Sequence, residues 1–296
     1  MRTCVIFNPV AKGDKARRFR ASLEVLGQEC VLRGTRSAGD GRTLAAQAIE
    51  EGFELVVAAG GDGTLNEVLN GFGDTREGFQ RACLGVLPLG TINVFARELQ
   101  IPLTPDAAWA VIRRGREIRV DLPVAEFTAN GKRERRYFAQ LAGAGLDARA
   151  IELVSWSLKK KIGPLAYVAA GLKALTERRP LITASNRTTS LAGELILIGN
   201  GRLYGGDYEV LPDADLRNGR LEVCVFPRAG WGTLARCGFP LLLRGRLPEG
   251  AVRRFAATEF TLSCASPAAF ELDGELVGHL PVKFSVEPGA LRVLSP

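Results

Sequence analysis

Histidine is almost missing from this sequence: a single one, His279, occurs in 296 residues. Histidine-rich metal centres are thereby excluded, and a histidine-based triad would have to use that one imidazole. The six cysteines, at 4, 30, 83, 224, 237 and 264, lie far apart and form no Cys-x-x-Cys pair. Such spacing argues against structural zinc and against a disulfide framework, and it suits a reducing compartment. No apolar run approaches the ~18 residues of a spanning helix; Leu165–Leu175 and Phe239–Leu243 are core-sized. A secretory start is lacking too, because the apolar Cys4–Phe7 is cut at once by Asn8-Pro9. There is no low-complexity tract and no visible long repeat. The expected protein is cytoplasmic, at most transiently at the inner face of the membrane.

Charge excludes less. Thirty-nine Lys plus Arg against 32 Asp plus Glu leave a net +7, a mild lean toward anionic partners. A dedicated nucleic-acid binder is usually more basic. Trp109, Trp156 and Trp231 form no stacking series, so nucleic acid is not expected as a partner.

At roughly 150 residues per domain, the length predicts about two domains. The first ~120 residues alternate buried-strand runs with helical segments, the pattern of a Rossmann-like parallel sheet covered by helices. Cys4–Phe7, Cys30–Leu32, Leu55–Ala59 and Cys83–Leu87 read as strands; Leu44–Glu51, Leu65–Gly71 and Ile92–Leu99 read as helical. After Val120–Pro123 the texture changes. One long helical stretch, Ala148–Arg178, is followed by short strands at Leu195–Ile198, Leu221–Phe226, Glu259–Ser263, Val282–Val286 and Leu291–Leu294. The expected fold is an α/β domain over 1–122 and a β-rich antiparallel sandwich over 123–296.

The strongest local signal is Gly60-Gly61-Asp62-Gly63-Thr64-Leu65-Asn66-Glu67, between a buried strand and a helix. In an open α/β sheet, ligands bind at the carboxyl ends of the strands. Glycines let the backbone approach a bulky anion, and the following helix offers unpaired N–H groups. There is no Gly-Lys-Ser/Thr, so this is not a Walker A loop. Asp62 would repel phosphate unless a cation lay between them, which points to Mg²⁺. Thr64-x-x-Glu67 also reads as an ordinary capping box. An internal echo weighs against capping alone: Gly63-Thr64-Leu65-Asn66 recurs as Gly90-Thr91-Ile92-Asn93, with Val94 where the capping glutamate would stand. Asn8-Pro9-Val10-Ala11-Lys12-Gly13 supplies a third loop after the first strand.

Taken in order, Asn8-Pro9-x-Ala11, Gly60 to Glu67, Pro88-x-Gly-Thr-x-Asn93 and Asp273-Gly274-Glu275 resemble the diacylglycerol kinase catalytic-domain family. That family includes bacterial lipid kinases and the sphingosine and ceramide kinases. Gly145-x-Asp147, Asn200, Tyr204-Gly-Gly206, Pro212-x-Ala214 and Asn218-Gly-x-Leu221 extend the resemblance through most of the chain. It implies ATP- and Mg²⁺-dependent phosphorylation of a lipid hydroxyl. Glu275 would be the general base, and Asp273 and Asp62 the carboxylates organising Mg²⁺ and water. Thr35 and Thr91 match nucleotide-contacting threonines. Asp273-Gly274 alone reads first as a hairpin turn, and a hairpin tip is compatible with presenting Glu275.

Three positions depart from the family pattern: Lys12-Gly13 in the first loop, Val94, and Asn218. Asn218 stands where many bacterial members place an aspartate that holds a structural Mg²⁺ with the carbonyls of Asp215 and Arg220. An NAD kinase, whose family also uses Gly-Gly-Asp-Gly-Thr, and a silent nucleotide- or lipid-binding regulator are the alternatives. Basic clusters at Lys12–Arg20, Arg113–Arg119, Lys132–Arg136 and Lys159–Lys161 predict peripheral contact with anionic membrane. A homodimer is left open, and the lipid is not identified.

Overall fold

The computed structural model describes residues 1–9, 14–21, 27–153, 165–177, 179–248 and 250–296. Four strands, β1 (Thr3–Phe7), β2 (Val31–Gly34), β3 (Leu55–Gly60) and β4 (Cys83–Pro88), pair in parallel in the order β2-β1-β3-β4. β3 and β4 are apolar end to end, and every residue of both is buried, as central parallel strands require. Helices Asp40–Glu50, Asp62–Gly73 and Pro105–Arg114 turn buried residues toward this sheet. Because the strands run in parallel, the loops after β1, β2, β3 and β4 all open at the same edge.

The rest of the chain is mostly strand. In order come β5 (Arg116–Ala129), β6 (Lys132–Tyr137), β7 (Leu141–Gly145), β8 (Ile182–Ser185), β9 (Ser190–Gly193) and β10 (Leu195–Gly199). They are followed by β11 (Leu203–Tyr204), β12 (Tyr208–Glu209), β13 (Leu221–Phe226) and β14 (Arg253–Ala257). The last four are β15 (Glu259–Cys264), β16 (Ala269–Leu272), β17 (Glu275–His279) and β18 (Val282–Ser295). Six of these form an antiparallel sheet in the order β14-β13-β10-β7-β16-β17. Facing it, β8, β15, β18 and β5 continue the first sheet in antiparallel fashion. The two layers enclose a phenylalanine-rich core in which Phe284 meets Phe260, Phe270 and Phe138, with ring centroids 5.3, 6.2 and 5.9 Å away. The α/β domain and the antiparallel β domain expected from the sequence are both present.

Several elements differ from the sequence reading. Val282–Val286 and Leu291–Leu294 are two parts of one strand, β18, which pairs with β5 on both sides of an irregularity between Glu287 and Leu291. At Val293 the same strand also pairs with Leu84 of β4, so Leu291, Val293 and Leu294 complete the core of the first domain. β5 runs through residues 122 and 123 without a break. The long helical stretch is described as Leu146–Leu153 and Leu165–Ala174, with 154–164 outside the described residues. Phe239–Leu243 is not core: Phe239, Leu242 and Leu243 are 66, 70 and 67% exposed.

Candidate active site

Gly61 and Gly90 bring the two glycine-rich loops into contact. A Cβ on Gly90 would lie 2.4 Å from Gly61 Cα, so only glycine permits this approach. Asp62 then staples the loops together. Its Oδ2 accepts the Asn93 N–H at 3.0 Å and its Oδ1 accepts the Val94 N–H at 2.8 Å. These amides open the short helix Val94–Glu98. A small crevice of about 10 Å³, room for one water, lies between the loops and is lined by Gly61, Asp62, Leu65, Pro88 and Asn93 among others. Burial raises the Asp62 pKa, and the nearby Asp273 charge adds to the rise while the two amides oppose it.

The repeated Gly-Thr-x-Asn does different work in its two copies. Asn93 folds back on its own loop, accepting from Gly90 N–H at 3.0 Å and donating to Gly90 carbonyl at 2.7 Å. Asn66 instead reaches across to Asp273, donating to Oδ2 at 2.9 Å. Nor do Thr64 and Glu67 form a capping box. The helix begins at Asp62, with Gly61 as its cap, and Glu67 accepts the N–H groups of Gly39 and Gly41, both at 2.8 Å. Glu67 therefore caps the neighbouring helix Asp40–Glu50, a role visible only once the two helices are packed. Leu65 is buried beneath the loop, while Thr91 is exposed.

The loops after β1 and β2 sit beside them. Thr35 N–H donates to Phe7 carbonyl at 2.9 Å, and Gly34 lies against Pro9, next to Asn8. Val10, Ala11 and Lys12 lie outside the described residues. Lys15 and Arg97 come near enough that Arg97 adds to the lowering of the Lys15 pKa begun by burial. Arg97 is held on the second loop, its Nε donating to Ile92 carbonyl at 2.7 Å while its guanidinium pairs with Asp207.

Asp273 and Gly274 form the two-residue turn between β16 and β17, with φ of 48° and 87°. The hairpin tip carries Glu275 to the first domain: Glu275 Oε1 lies 2.6 Å from where a Cβ on Gly63 would sit. Asp273 anchors the tip. Besides Asn66, its carboxylate accepts the N–H groups of Ala139 at 2.8 Å, Gln140 at 3.0 Å and Leu141 at 3.1 Å. Burial pushes its pKa up against these four donors. Asp62, Glu275 and Asp273 thus meet at the seam between the α/β and β-rich domains.

Comparison with known proteins supplies the family. Residues 2–125 match the model for the diacylglycerol kinase catalytic domain, and residues 140–295 match the YegS C-terminal NAD kinase beta sandwich-like domain. A diacylglycerol kinase of Staphylococcus saprophyticus is 30% identical over 305 aligned residues, covering 100% of this chain and 95% of the relative. A probable lipid kinase, YegS-like, of Pseudomonas aeruginosa is 33% identical over 300 residues, covering 99 and 93%. The chain belongs to the diacylglycerol kinase family. The crystal structure of a putative diacylglycerol kinase from Bacillus anthracis superposes with a TM-score of 0.78 at 20% identity, covering 100% of this chain and 97% of that one.

For a diacylglycerol kinase family member, one cluster near the hairpin was not expected in this role. Glu271 is buried and Asp147 half-buried beside it, their carboxyl oxygens converging on Gly143, where any Cβ would clash with both. Tyr204 O–H donates to Asp147 at 2.5 Å, and Gly274 N–H donates to Glu271 at 2.6 Å. Burial raises both carboxyl pKa values, that of Glu271 well above its usual range, with the Asp147 charge adding to it. Asp147 and Tyr204 stood in matched motifs, but Glu271 is one acid in a short strand, a pattern that solvent-facing positions share. Asp121 gave no signal either; it accepts from Gly219 N–H at 2.6 Å and Gly289 N–H at 2.9 Å.

The turn expected to hold a structural Mg²⁺ is closed by its own backbone amides. Asn218 Oδ1 accepts the Arg220 N–H at 2.9 Å, and Asp215 carbonyl accepts the Asn218 N–H at 3.2 Å. Asp215 Oδ1 is also taken, by the Arg217 N–H at 2.9 Å. Each of these oxygens accepts one amide and keeps a second lone pair, and Asn218 contributes a neutral oxygen where a carboxylate would contribute charge.

Proposed function

We propose that this protein transfers the γ-phosphoryl group of ATP to the hydroxyl of a lipid, diacylglycerol first among the acceptors. The observation that carries the reading is the meeting of Glu275 with Gly63, one residue from Asp62, across the seam between the domains. Phosphoryl transfer asks for positioning, charge neutralisation and a group to orient the nucleophile, and it needs no histidine. Asn8, Pro9, Thr35, the Gly60–Glu67 segment and Gly90, Thr91 and Asn93 would line the edge where ATP lies; Val10, Ala11 and Lys12 join them by sequence motif alone, being outside the described residues.

Asp62 fits a Mg²⁺ ligand. Two of its roughly four acceptor positions are used, leaving others for a cation, and its burial beside Asp273 leaves negative charge to be balanced. Mg²⁺ is ordinarily held by one or two carboxylates together with substrate phosphates, a role a single Asp62 can fill. When bound, Mg²⁺ would neutralise charge on the phosphates. Glu275 would accept the hydroxyl proton as the lipid oxygen bonds to phosphorus and the bond to the ADP oxygen breaks. Asp273, its oxygens all engaged, would act by fixing the turn that aims Glu275. Peripheral contact with an anionic membrane would bring the lipid within reach.

The test is incubation with labelled ATP, Mg²⁺ and mixed micelles of diacylglycerol, monoacylglycerol, phosphatidylglycerol, a polyprenol or a sphingoid base. Label should enter one lipid and be lost with Asp62→Ala; Glu275→Gln should keep ATP binding and lose most turnover. An NAD arm belongs in the same assay, because the C-terminal match is to an NAD kinase-like sandwich. Label entering NAD and no lipid would overturn the proposal.

A further inference from the structure

An apolar helical segment on the β-rich domain is turned outward. It runs as Trp231–Thr233, a π-helical turn Leu234–Gly238, and Phe239–Arg244. Its inner side is ordinary: Cys237 is buried and Leu241 half-buried, four residues apart, both packed on the cluster that contains Val94, Leu211 and Phe226. Its outer side is not. Trp231, Leu234, Phe239, Leu242 and Leu243 are 57, 41, 66, 70 and 67% exposed. A helix apolar on both sides needs a second apolar partner. These five side chains present on the order of 500 Å² of apolar surface, large for an uncovered patch on a soluble monomer.

Charge identifies the partner. From Val223 to Pro248 there is no Asp or Glu, while Arg228, Arg236, Arg244 and Arg246 bracket the apolar residues. Arg228, Arg236 and Arg244 are exposed, and Arg246 lies 3.5 Å from Glu209. Large apolar side chains with a basic rim and no acid match the acyl–headgroup boundary of an anionic bilayer. A protein partner with an acidic rim lacks this reason for five protruding apolar groups of such length. The segment is also tied to the seam: Glu209 N–H donates to Gly245 carbonyl at 2.6 Å, and Arg97 pairs with Asp207 at 2.5 Å in the same β11–β12 hairpin.

We infer that Trp231–Arg244 is the element by which this protein docks on an anionic lipid surface, its five apolar side chains entering the interface and its arginines meeting the headgroups. The inference rests on the peripheral-membrane part of the function proposed above and assigns that contact to one element, which the basic clusters read from the sequence do not include. It does not depend on turnover.

The test is co-sedimentation of the full chain with vesicles of phosphatidylcholine alone and of phosphatidylcholine with about 30% phosphatidylglycerol, enough anionic lipid to create a negative surface potential, without ATP. The wild type should bind the mixed vesicles and bind phosphatidylcholine much more weakly. Phe239→Ser with Leu242→Ser should weaken binding on the order of 100-fold. Arg228→Gln, Arg236→Gln and Arg244→Gln should each weaken it about 5-fold, in a salt-sensitive way. Far-ultraviolet dichroism and melting of each variant exclude misfolding, and because these residues are exposed the glutamine variants provide a reading should the serine pair not fold. Wild-type binding that survives all these substitutions overturns the assignment and leaves the peripheral reading standing. No binding by the wild type overturns both. A concentration-dependent dimer that the serine substitutions split, without vesicle binding, shows instead that a second copy covers the patch.

Discussion

Replacing Gly63 by alanine should separate stability from turnover. Gly63 is the second residue of the helix Asp62–Gly73, and its φ lies outside the left-handed region, so alanine fits the backbone. The added Cβ would meet one atom group, the Glu275 carboxylate, with Oε1 at 2.6 Å. Oε1 must retreat by about 0.8 Å to reach ordinary contact at 3.4 Å, and a flexible carboxylate can do so cheaply. Gly→Ala at a compatible position stabilises by about 0.5 kcal/mol through the unfolded chain, so Tm should rise by about 1 °C. Displacing a reacting group by nearly 1 Å reduces turnover by about 100-fold, or about 2.7 kcal/mol of barrier. Initial rates with labelled ATP in lipid micelles, ATP titration calorimetry and a melting curve make the measurement. The expected result is unchanged ATP affinity, unchanged or raised Tm and a kcat lowered about 100-fold. A full-rate Gly63→Ala would refute the placement of Glu275 at the reacting hydroxyl.

Asp273→Ala should be the most damaging single change at the seam, because it strands the buried N–H groups of Ala139, Gln140 and Leu141 together with Asn66. At 1–3 kcal/mol for each stranded donor, a loss of about 4 kcal/mol or more is expected in urea denaturation; a loss below about 1 kcal/mol would contradict the clamp. The Asp147–Glu271 pair sets a pH dependence. Burial raises both pKa values in the folded state, so the folded pair retains a proton that the unfolded chain releases near pH 4–5. The folded state then binds more protons than the unfolded one, and stability falls as pH rises above that range, by up to about 1.4 kcal/mol per pH unit for one proton. Glu271→Gln keeps an acceptor for Gly274 N–H and should make Tm against pH shallower between pH 5 and 8; an unaltered slope would show that the pair is ionised throughout.

The parallel half of the fold was readable because its strands are unbroken apolar runs, Leu55–Gly60 and Cys83–Pro88, and their burial follows directly from composition. The Asp273-Gly274 turn was readable for a similar local reason. What was not readable depends on partners distant in sequence. Glu67 looks like a cap for its own helix and serves another. Glu271 looks like a surface residue of a strand and lies beside Asp147. Phe239–Leu243 is apolar enough for a core, and only packing reveals that Leu241 turns inward while its neighbours face out. The gap between Val286 and Leu291 likewise suggested two strands, since a bulge and a turn use the same residues, Pro288 and Gly289.

That last strand has a consequence for how the molecule is made. β4 gains its outer neighbour from Val293, and the first core gains Leu291, Val293 and Leu294, about two hundred residues after β4 itself has been synthesised. During translation β4 therefore waits with its outer edge open, a template for wrong pairing, until Leu291–Leu294 has left the ribosome. Closure joins segments about two hundred residues apart, which raises the contact order and slows final folding. The two lobes are thus one folding unit, and neither is expected to reach its native state before the other.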